Sequence, residues 1–135
     1  MDPYSQAPKP LRPAEFYALL ALARRELHGY ALRSQIIKDS LGGVILPPNK
    51  QYPLLTRLQD EGFVDLIGKR PVGTQAKERH VYGLSPHGAL RLREELTRLH
   101  HAVEIAQNAH LLEPPKLSPD IQRLLLDLEI SAERR

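Results

Sequence analysis

The stretch Pro47-Pro-Asn-Lys-Gln-Tyr-Pro-Leu-Leu-Thr-Arg-Leu-Gln-Asp-Glu-Gly-Phe63 decides the fold of this chain, because it predicts one short helix with marked ends. Pro53 falls in the first turn, where a missing N–H costs least, and Asn49 is suited to cap the start. Gly62 stands where helices commonly end in the left-handed conformation. Residues that begin and end helices therefore bound the segment on both sides.

This helix is predicted to be amphipathic. Leu54, Leu55 and Leu58 have the spacing of a face that packs on a core. The outward face is polar and cationic, and it comprises Asn49, Lys50, Pro53, Thr56 and Arg57. A short helix with such a face, followed by a β-hairpin, is typical of a DNA-binding winged helix.

Length, composition and charge limit the classes of protein to which this chain can belong. The 135 residues suffice for one small domain with an extension. There is no cysteine, which excludes disulfides and thiolate chemistry. Lys and Arg number 12 against 8 Asp and Glu in residues 1–85, but 7 against 8 in residues 86–135. The basic first part suits a polyanionic partner.

The N-terminus and the lengths of the apolar runs indicate where in the cell the protein is located. No apolar run approaches the roughly 20 residues that span a bilayer, and the N-terminus lacks the apolar region of a secretory signal. We therefore expect a cytoplasmic protein without a membrane partner. Residues 1–13 are rich in proline and predict a flexible arm, in which Lys9 and Arg12 either reach a phosphate backbone or stay solvated.

Three elements are predicted between this arm and the deciding helix. Helices are expected from about Pro13 to Glu26 and from about Tyr30 to Leu41, the second stopped by Gly42-Gly43. The apolar run at residues 44–46 predicts a short strand that could pair with a later hairpin.

A hairpin is expected after the deciding helix. Residues 63–68 and 79–85 favour two strands, joined by a long polar loop over residues 69–78. This hairpin carries four cations, which suit the backbone of a nucleic acid: Lys69, Arg70, Lys77 and Arg79.

The longest helix is predicted from Ser85-Pro86, a cap followed by proline at the first position, to about Leu112. Its apolar residues follow the spacing of a coiled-coil seam: Leu92, Leu96, Leu99, Val103 and Ala106. The stripe could pack on its own domain, but pairing between two chains is favoured because the helix exceeds the small core. Residues 113–135 predict an extension with a short leucine-rich helix that docks on some surface.

Catalytic patterns are not found. The sequence has no glycine-rich phosphate loop, and its adjacent carboxylate pairs diverge on helices instead of sharing a proton. His100 and Glu104 stand four residues apart beside His101, but one helical pair supplies too few ligands for a metal site. We therefore expect neither an enzyme, a cofactor nor a metal centre.

At residue level the chain resembles the PadR family of bacterial transcriptional regulators, in its short form with one long helix after the wing. The resemblance rests on four ordered segments: Ala18-Leu-Leu-Ala-Leu, Leu27-His-Gly-Tyr30, Tyr52-Pro-Leu-Leu-Thr-Arg-Leu-Gln-Asp-Glu-Gly-Phe63 and Val81-Tyr-Gly-Leu-Ser-Pro-His-Gly88. It implies a mainly α fold with a small β-hairpin wing. Residues 14–85 would form the winged helix-turn-helix, residues 86–112 the dimerisation helix and residues 113–135 the extension.

The resemblance also implies a function. A homodimer would bind an inverted-repeat operator in double-stranded DNA and repress transcription until a small molecule or stress signal releases it. The expected DNA-binding residues are Tyr30, Asn49, Lys50, Tyr52, Arg57, Lys69, Arg70, Lys77 and Arg79. One departure stands out, since Asn49-Lys50-Gln51 replaces the usual Gly-Thr-Leu before Tyr-Pro, so that Gln51 puts a polar group on the inward stripe. The alternative is a winged-helix module that binds protein without operator DNA.

Overall fold

The structure, a computed structural model, describes residues 2–3, 5–72, 75–114 and 116–133, with the side chains of residues 70, 72 and 75–78 outside the description. The chain divides into two units, Met1–Leu99 and His100–Arg135. The elements in chain order are α1 (Pro13–Arg24), β1 (Leu27–His28), α2 (Gly29–Asp39), α3 (Pro48–Asp60), β2 (Val64–Val72), β3 (Gln75–Leu84), α4 (Pro86–Asn108) and α5 (Pro119–Glu133). Five helices and a small antiparallel sheet form a winged helix with a long helix after the wing, as the sequence predicted.

The core of the first unit lies among α1, α2 and α3. Leu54, Leu55 and Leu58 are 3%, 1% and 0% exposed, which confirms the inward face of the deciding helix. They pack with apolar residues from every other element of this unit, among them Leu19, Leu22, Leu32, Ile36, Val64, Tyr82 and Leu92.

The ends of α3 differ partly from expectation. Pro47 is the N-cap and Asn49 lies inside the helix, so the prediction that Asn49 caps it is wrong. Two prolines at this start fix the backbone without a capping side chain. Gly62 has φ +79°, and its N–H donates to the Gln59 carbonyl at 2.9 Å, as predicted for a helix end.

The sheet has the strand order β1-β3-β2. Its third strand is the pair Leu27–His28, which lies antiparallel to β3 opposite Tyr82 and Val81. The predicted strand at residues 44–46 is therefore wrong. Side chains of α2 and of its C-cap bind the backbone there instead: Arg33 Nε donates to the Leu46 carbonyl at 2.6 Å, and the Val44 N–H donates to Ser40 Oγ at 3.0 Å.

The wing consists mostly of strand. Residues 69–72 and 75–78 fall in the segment predicted as a loop but continue the ladder of β2 and β3, with Lys69 opposite His80 and Arg70 opposite Arg79. A register shift occurs between Leu66 and Gly68, where Gly68 has φ +151°. Backbone pairing through this polar segment lengthens the wing beyond what side-chain pattern indicated.

The start of α4 follows the sequence prediction. Ser85 is 5% exposed; its Oγ accepts the Gly88 N–H at 2.9 Å and donates to the Gly62 carbonyl at 2.5 Å. One hydroxyl thus links the end of the α3 turn to the start of α4. The helix ends at Asn108, earlier than the predicted Leu112, and His110 adopts φ +61°.

The N-terminal arm is attached over residues 8–12. The Leu11 N–H donates to Glu95 Oε2 at 3.3 Å, Arg98 Nη1 donates to the Pro8 carbonyl at 3.3 Å, and Arg91 donates to the Lys9 carbonyl. Three α4 side chains thus bind the backbone of this part of the arm, and its flexibility stays a prediction.

The second unit contains the end of α4 and α5. Every residue of α5 is exposed, including Ile121, Leu124, Leu125 and Leu128. The docking of this leucine-rich helix stays a prediction. Across the described residues, no helix has the length and apolar character needed to cross a membrane.

Candidate nucleic-acid interface

The outward face of α3 presents its first turns to solvent. Asn49 and Lys50 are exposed, Tyr52 is 63% exposed and Arg57 is half-buried. These positions follow from the burial of the three leucines on the opposite face. The four side chains are therefore available to a partner, with Arg57 the least accessible.

A cavity of about 250 Å³ lies beside this face. Residues from α2, α3 and β3 line it: Gly29, Tyr30, Pro48, Gln51, Tyr52, Leu55, Arg79, His80 and Tyr82. The cavity therefore brings Tyr30, Tyr52 and Arg79 together from three elements.

The contact between Gly29 and Gln51 joins the starts of α2 and α3. A β-carbon on Gly29 would lie 2.1 Å from the Gln51 amide nitrogen Nε2, so the Gln51 side chain occupies that space. The polar residue on the inward stripe is half-buried and packs against bare backbone. Gln51 is thereby accommodated without entering the apolar core.

Two titratable groups near the cavity have shifted pKa values. Burial, and to a lesser extent nearby Tyr52, raises the pKa of Tyr82 above its usual 10.0. Burial, and then the Arg79 charge, lowers the pKa of His28 below 6.5. Neutral His28 caps α2, because its Nδ1 accepts the Ala31 N–H at 3.4 Å.

The wing supplies further cations. Lys69 on β2 and Arg79 on β3 are exposed, and Arg79 also lines the cavity. The side chains of Arg70 and Lys77 lie outside the described residues. Their backbone positions are on the same hairpin, so the four predicted cations belong to one ribbon.

Sequence reasoning did not assign six of the nine cavity residues to a functional site: Gly29, Pro48, Gln51, Leu55, His80 and Tyr82. Each lacks a helical or charge pattern that marks a surface. The segment Arg79-His-Val-Tyr82 held the available signal, since alternation on β3 puts His80 and Tyr82 on the same face. Two residues apart on one strand, they border one cavity.

The profile of the transcriptional regulator PadR-like family matches residues 18–94, more than half of the chain. The chain belongs to this family. Its PadR-like fold agrees with the order of helices and strands described above, and members of the family are transcriptional regulators, not enzymes.

Solved structures of other PadR proteins are similar. Bacillus subtilis PadR in complex with operator DNA is 27% identical with TM-score 0.55, over 91% of this chain and 61% of that one. A PadR-like regulator of Bacillus cereus is 22% identical with TM-score 0.59, over 73% of this chain and 92% of that one. A PadR family regulator of Clostridium difficile is 13% identical with TM-score 0.59, over 72% and 97%. No curated protein matches the sequence.

His100 and Glu104 of this PadR-like chain are in contact along α4. His100 Nε2 lies 3.0 Å from Glu104 Oε1, and both side chains are mostly exposed. Within the described parts of the chain, no group of three or more His, Asp or Glu could hold a metal ion.

Proposed function

We propose that this PadR-like regulator is a dimeric, sequence-specific DNA-binding repressor that a small molecule or stress signal releases. The observation that carries the DNA-binding part is the gathering of Tyr30, Tyr52 and Arg79 around a cavity beside the exposed start of α3. Bacillus subtilis PadR, whose structure includes operator DNA, supports the same partner for this chain. The repressor role and its release rest on the family resemblance.

The start of α3 is the proposed reading surface. Asn49 and Lys50 are exposed in the first turn, the part of a recognition helix that usually meets base edges. Asn pairs with adenine and Lys donates to guanine, each good bidentate contact being worth roughly 1–3 kcal/mol of discrimination. Arg57 is half-buried one turn later, so we assign it to the backbone together with Tyr52.

The wing is proposed to position the protein along the duplex. Lys69 and Arg79 are exposed, and Arg70 and Lys77 belong to the same ribbon. Contacts with phosphates fix register and orientation but carry no base information directly. The wing should therefore contribute affinity and salt dependence more than sequence preference.

The dimer is proposed to form along α4. Leu96, Leu99 and Val103 are 39%, 42% and 41% exposed, which is high for apolar residues on one stripe, and Ala106 is half-buried. Leu92, assigned to this seam from sequence, is 4% exposed and packs in the core of its own chain. Two-fold symmetry implies an inverted-repeat operator with half-sites about one helical turn apart or a multiple of it.

The test replaces Lys50 with alanine. Wild-type protein first selects a cognate duplex from a random pool, and both proteins are then titrated with cognate and scrambled duplexes at one salt concentration. We expect Lys50→Ala to reduce cognate binding by about 10-fold or more and scrambled binding less. Lys38→Ala, an exposed lysine in the last turn of α2, is the matched control.

Two outcomes would contradict this proposal. Equal losses on both duplexes would mean that Lys50 only neutralises phosphate. Failure of the wild type to select or bind any duplex would favour the alternative, a winged-helix module that binds protein.

A further inference from the structure

The second unit, His100–Arg135, leaves its large apolar side chains exposed. Among its described residues, 100–114 and 116–133, none is buried, and α5 is exposed along its whole length. A free helix of 15 residues is marginal in water, because most helical stability in proteins comes from the packing of an apolar face. The α5 helix therefore needs a surface on which to pack.

The apolar face of α5 is made of large aliphatic side chains. Its four residues, called the α5 face, are 44% to 59% exposed: Ile121, Leu124, Leu125 and Leu128. At 3.6 residues per turn they lie on an arc of about 100°, which is the width of a face that packs on a core. A strict coiled-coil seam is narrower. The α5 face therefore fits a groove between two helices better than the surface of one.

The last turns of α4 carry more apolar surface than one partner helix covers. Val103 and Ala106 belong to the proposed dimer seam, and Ala102 and Ile105 lie beside it on the same helix. The four residues occupy an arc of about 160°, wider than a two-stranded seam uses. Ala102 is exposed and Ile105 is 56% exposed. This pair, called the α4 flank, therefore requires a further helix to cover it.

The α4 flank and the α5 face are complementary in side-chain size. Ala102 and Ala106 are small and leave a shallow groove along α4, whereas the α5 face carries leucine and isoleucine. Helices interdigitate when small and large residues alternate across facing positions. The groove and the ridge that would fill it are thus both present in this chain.

The sequence around α5 favours a second copy of α4 as the occupant. By sequence, Glu113-Pro-Pro115 in the connection between the two helices favours a stiff, extended spacer, which directs α5 away from its own α4. Asp127 and Glu129 border the α5 face on its two sides. Pairing of α5 with another α5 would bring these like charges together, which is unfavourable.

We propose that α5 of each chain docks on the α4 flank of a second copy, so that two α4 and two α5 helices form a four-helix bundle. The proposal rests on the proposed dimer and deepens it, because it names a further contact surface between the copies. Stable interfaces bury about 1,200–2,000 Å² in total. The seam residues Leu96, Leu99 and Val103 are each only about two-fifths exposed, so the α5 face adds the larger apolar surface.

Cross-linking tests which copy α5 contacts. The chain has no cysteine, so an introduced pair gives no background. Protein carrying Ile105→Cys and Leu125→Cys is oxidised mildly, denatured and separated without reductant. We expect a species of twice the 15.3 kDa chain mass, because the two thiols that meet belong to different copies. Each single variant should stay at the mass of one chain.

The matched control pairs Ile105→Cys with Leu126→Cys. Leu126 is 57% exposed but lies on the other side of α5, about 100° from Leu125 along the helix turn. This control should stay at the mass of one chain. An intrachain disulfide in the Ile105→Cys and Leu125→Cys protein would mean that α5 folds on its own α4. Free thiols in that protein would mean that α5 covers neither copy, and either result would overturn the proposal.

Sedimentation gives a second readout that needs no introduced thiol. Leu124→Glu with Leu128→Glu should raise the dissociation constant of the dimer by about 100-fold, because two large apolar side chains leave the interface. Leu126→Glu with Ile130→Glu adds the same charge on the other side of α5 and should leave the dissociation constant unchanged. An unchanged constant in the first variant would refute the docking.

The failure of the docking and the failure of the proposed function give different results. A monomeric wild type would reject the dimer and the docking together. A wild-type dimer that selects an operator but shows no α5 cross-link would reject the docking alone. A dimer that cross-links through α5 yet selects no duplex would keep the docking and reject operator binding.

Discussion

At the scale of single residues, His28 has two structural roles that depend on one protonation state. It forms the end of β1 opposite Val81, and its neutral Nδ1 accepts the Ala31 N–H at the start of α2. A protonated imidazole has no acceptor left for this cap. It would also place a positive charge at a helix N-terminus near Arg79, where burial already lowers the pKa of His28.

This arrangement predicts that the folded state loses stability as the pH falls. Because the pKa of His28 in the folded state lies below 6.5, the unfolded chain takes up the proton first as pH falls. Stability is therefore fully present above about pH 6.5 and declines below it, until the folded-state pKa is passed. We expect the urea midpoint to fall less between pH 8 and pH 5.5 in His28→Asn, which keeps a capping acceptor without titrating.

A control variant, His28→Ala, separates the effect of losing the helix cap from the effect of protonating the imidazole. His28→Ala should lose about 1 kcal/mol of stability at pH 8, because the capping acceptor is absent. Carboxylates titrate alike in all three proteins, so the difference between wild type and His28→Asn isolates the imidazole. Equal pH dependence in these two would refute the assignment.

At the scale of elements, the N-terminal arm is bound to α4 through a buried carboxylate. Glu95 is 5% exposed, accepts the Leu11 N–H at 3.3 Å and pairs with Arg98. Arg91 Nη1 is buried without a hydrogen-bond partner in the described residues, 3.8 Å from carboxylate oxygens of both Glu94 and Glu95. Glu95 thus provides most of the buried negative charge for two arginines that also hold arm carbonyls.

Removing this carboxylate should release the arm. We expect Glu95→Ala to reduce stability by about 1–3 kcal/mol, since it leaves the Leu11 N–H without its acceptor and the buried Arg91 guanidinium without a nearby buried carboxylate. Hydrogen exchange at the Leu11 amide should accelerate by more than the change in global stability accounts for. Glu94→Ala, whose side chain is 42% exposed, should change both quantities little. An unchanged exchange rate at Leu11 in Glu95→Ala would show that other contacts hold the arm.

At the scale of the whole molecule, the exposed stripe on α4 is the feature that a single chain leaves unburied. Leu96 and Leu99 are about two-fifths exposed, whereas Leu92, one turn earlier, is covered by its own domain. Burial of apolar area is worth about 25 cal/mol per Å². A second copy of α4 would supply that burial, and it would also create the symmetry that an inverted-repeat operator needs.

Charged substitutions in the exposed stripe of α4 test the dimer prediction. Leu96→Glu combined with Leu99→Glu should yield a 15.3 kDa monomer in sedimentation and remove tight operator binding at the same time, because like charges would face each other across the seam. Leu90→Glu, 52% exposed on a different side of the helix, should leave the dimer and its DNA affinity intact. A stable dimer in the double variant would exclude this seam.

The sequence by itself determined the elements whose signals are local. Proline and glycine marked the limits of α3, leucine spacing marked its buried face, and Ser85-Pro86 marked the start of α4, because caps and helical periodicity act within a few residues. The family resemblance then followed from the order of these segments. Asn49 was misplaced as a cap because two prolines can begin a helix without one.

Only the tertiary structure decided the features that join distant segments. The two-residue strand at Leu27–His28 depends on the edge of β3, where Leu27 pairs with Tyr82 far along the chain. No local pattern distinguishes this strand from residues 44–46. Burial of Leu92 depended on the domain that covers it, although its spacing matches that of Leu96 and Leu99. The cavity likewise exists only where α2, α3 and β3 meet. Such contacts depend on packing between elements, which periodicity along one chain does not encode.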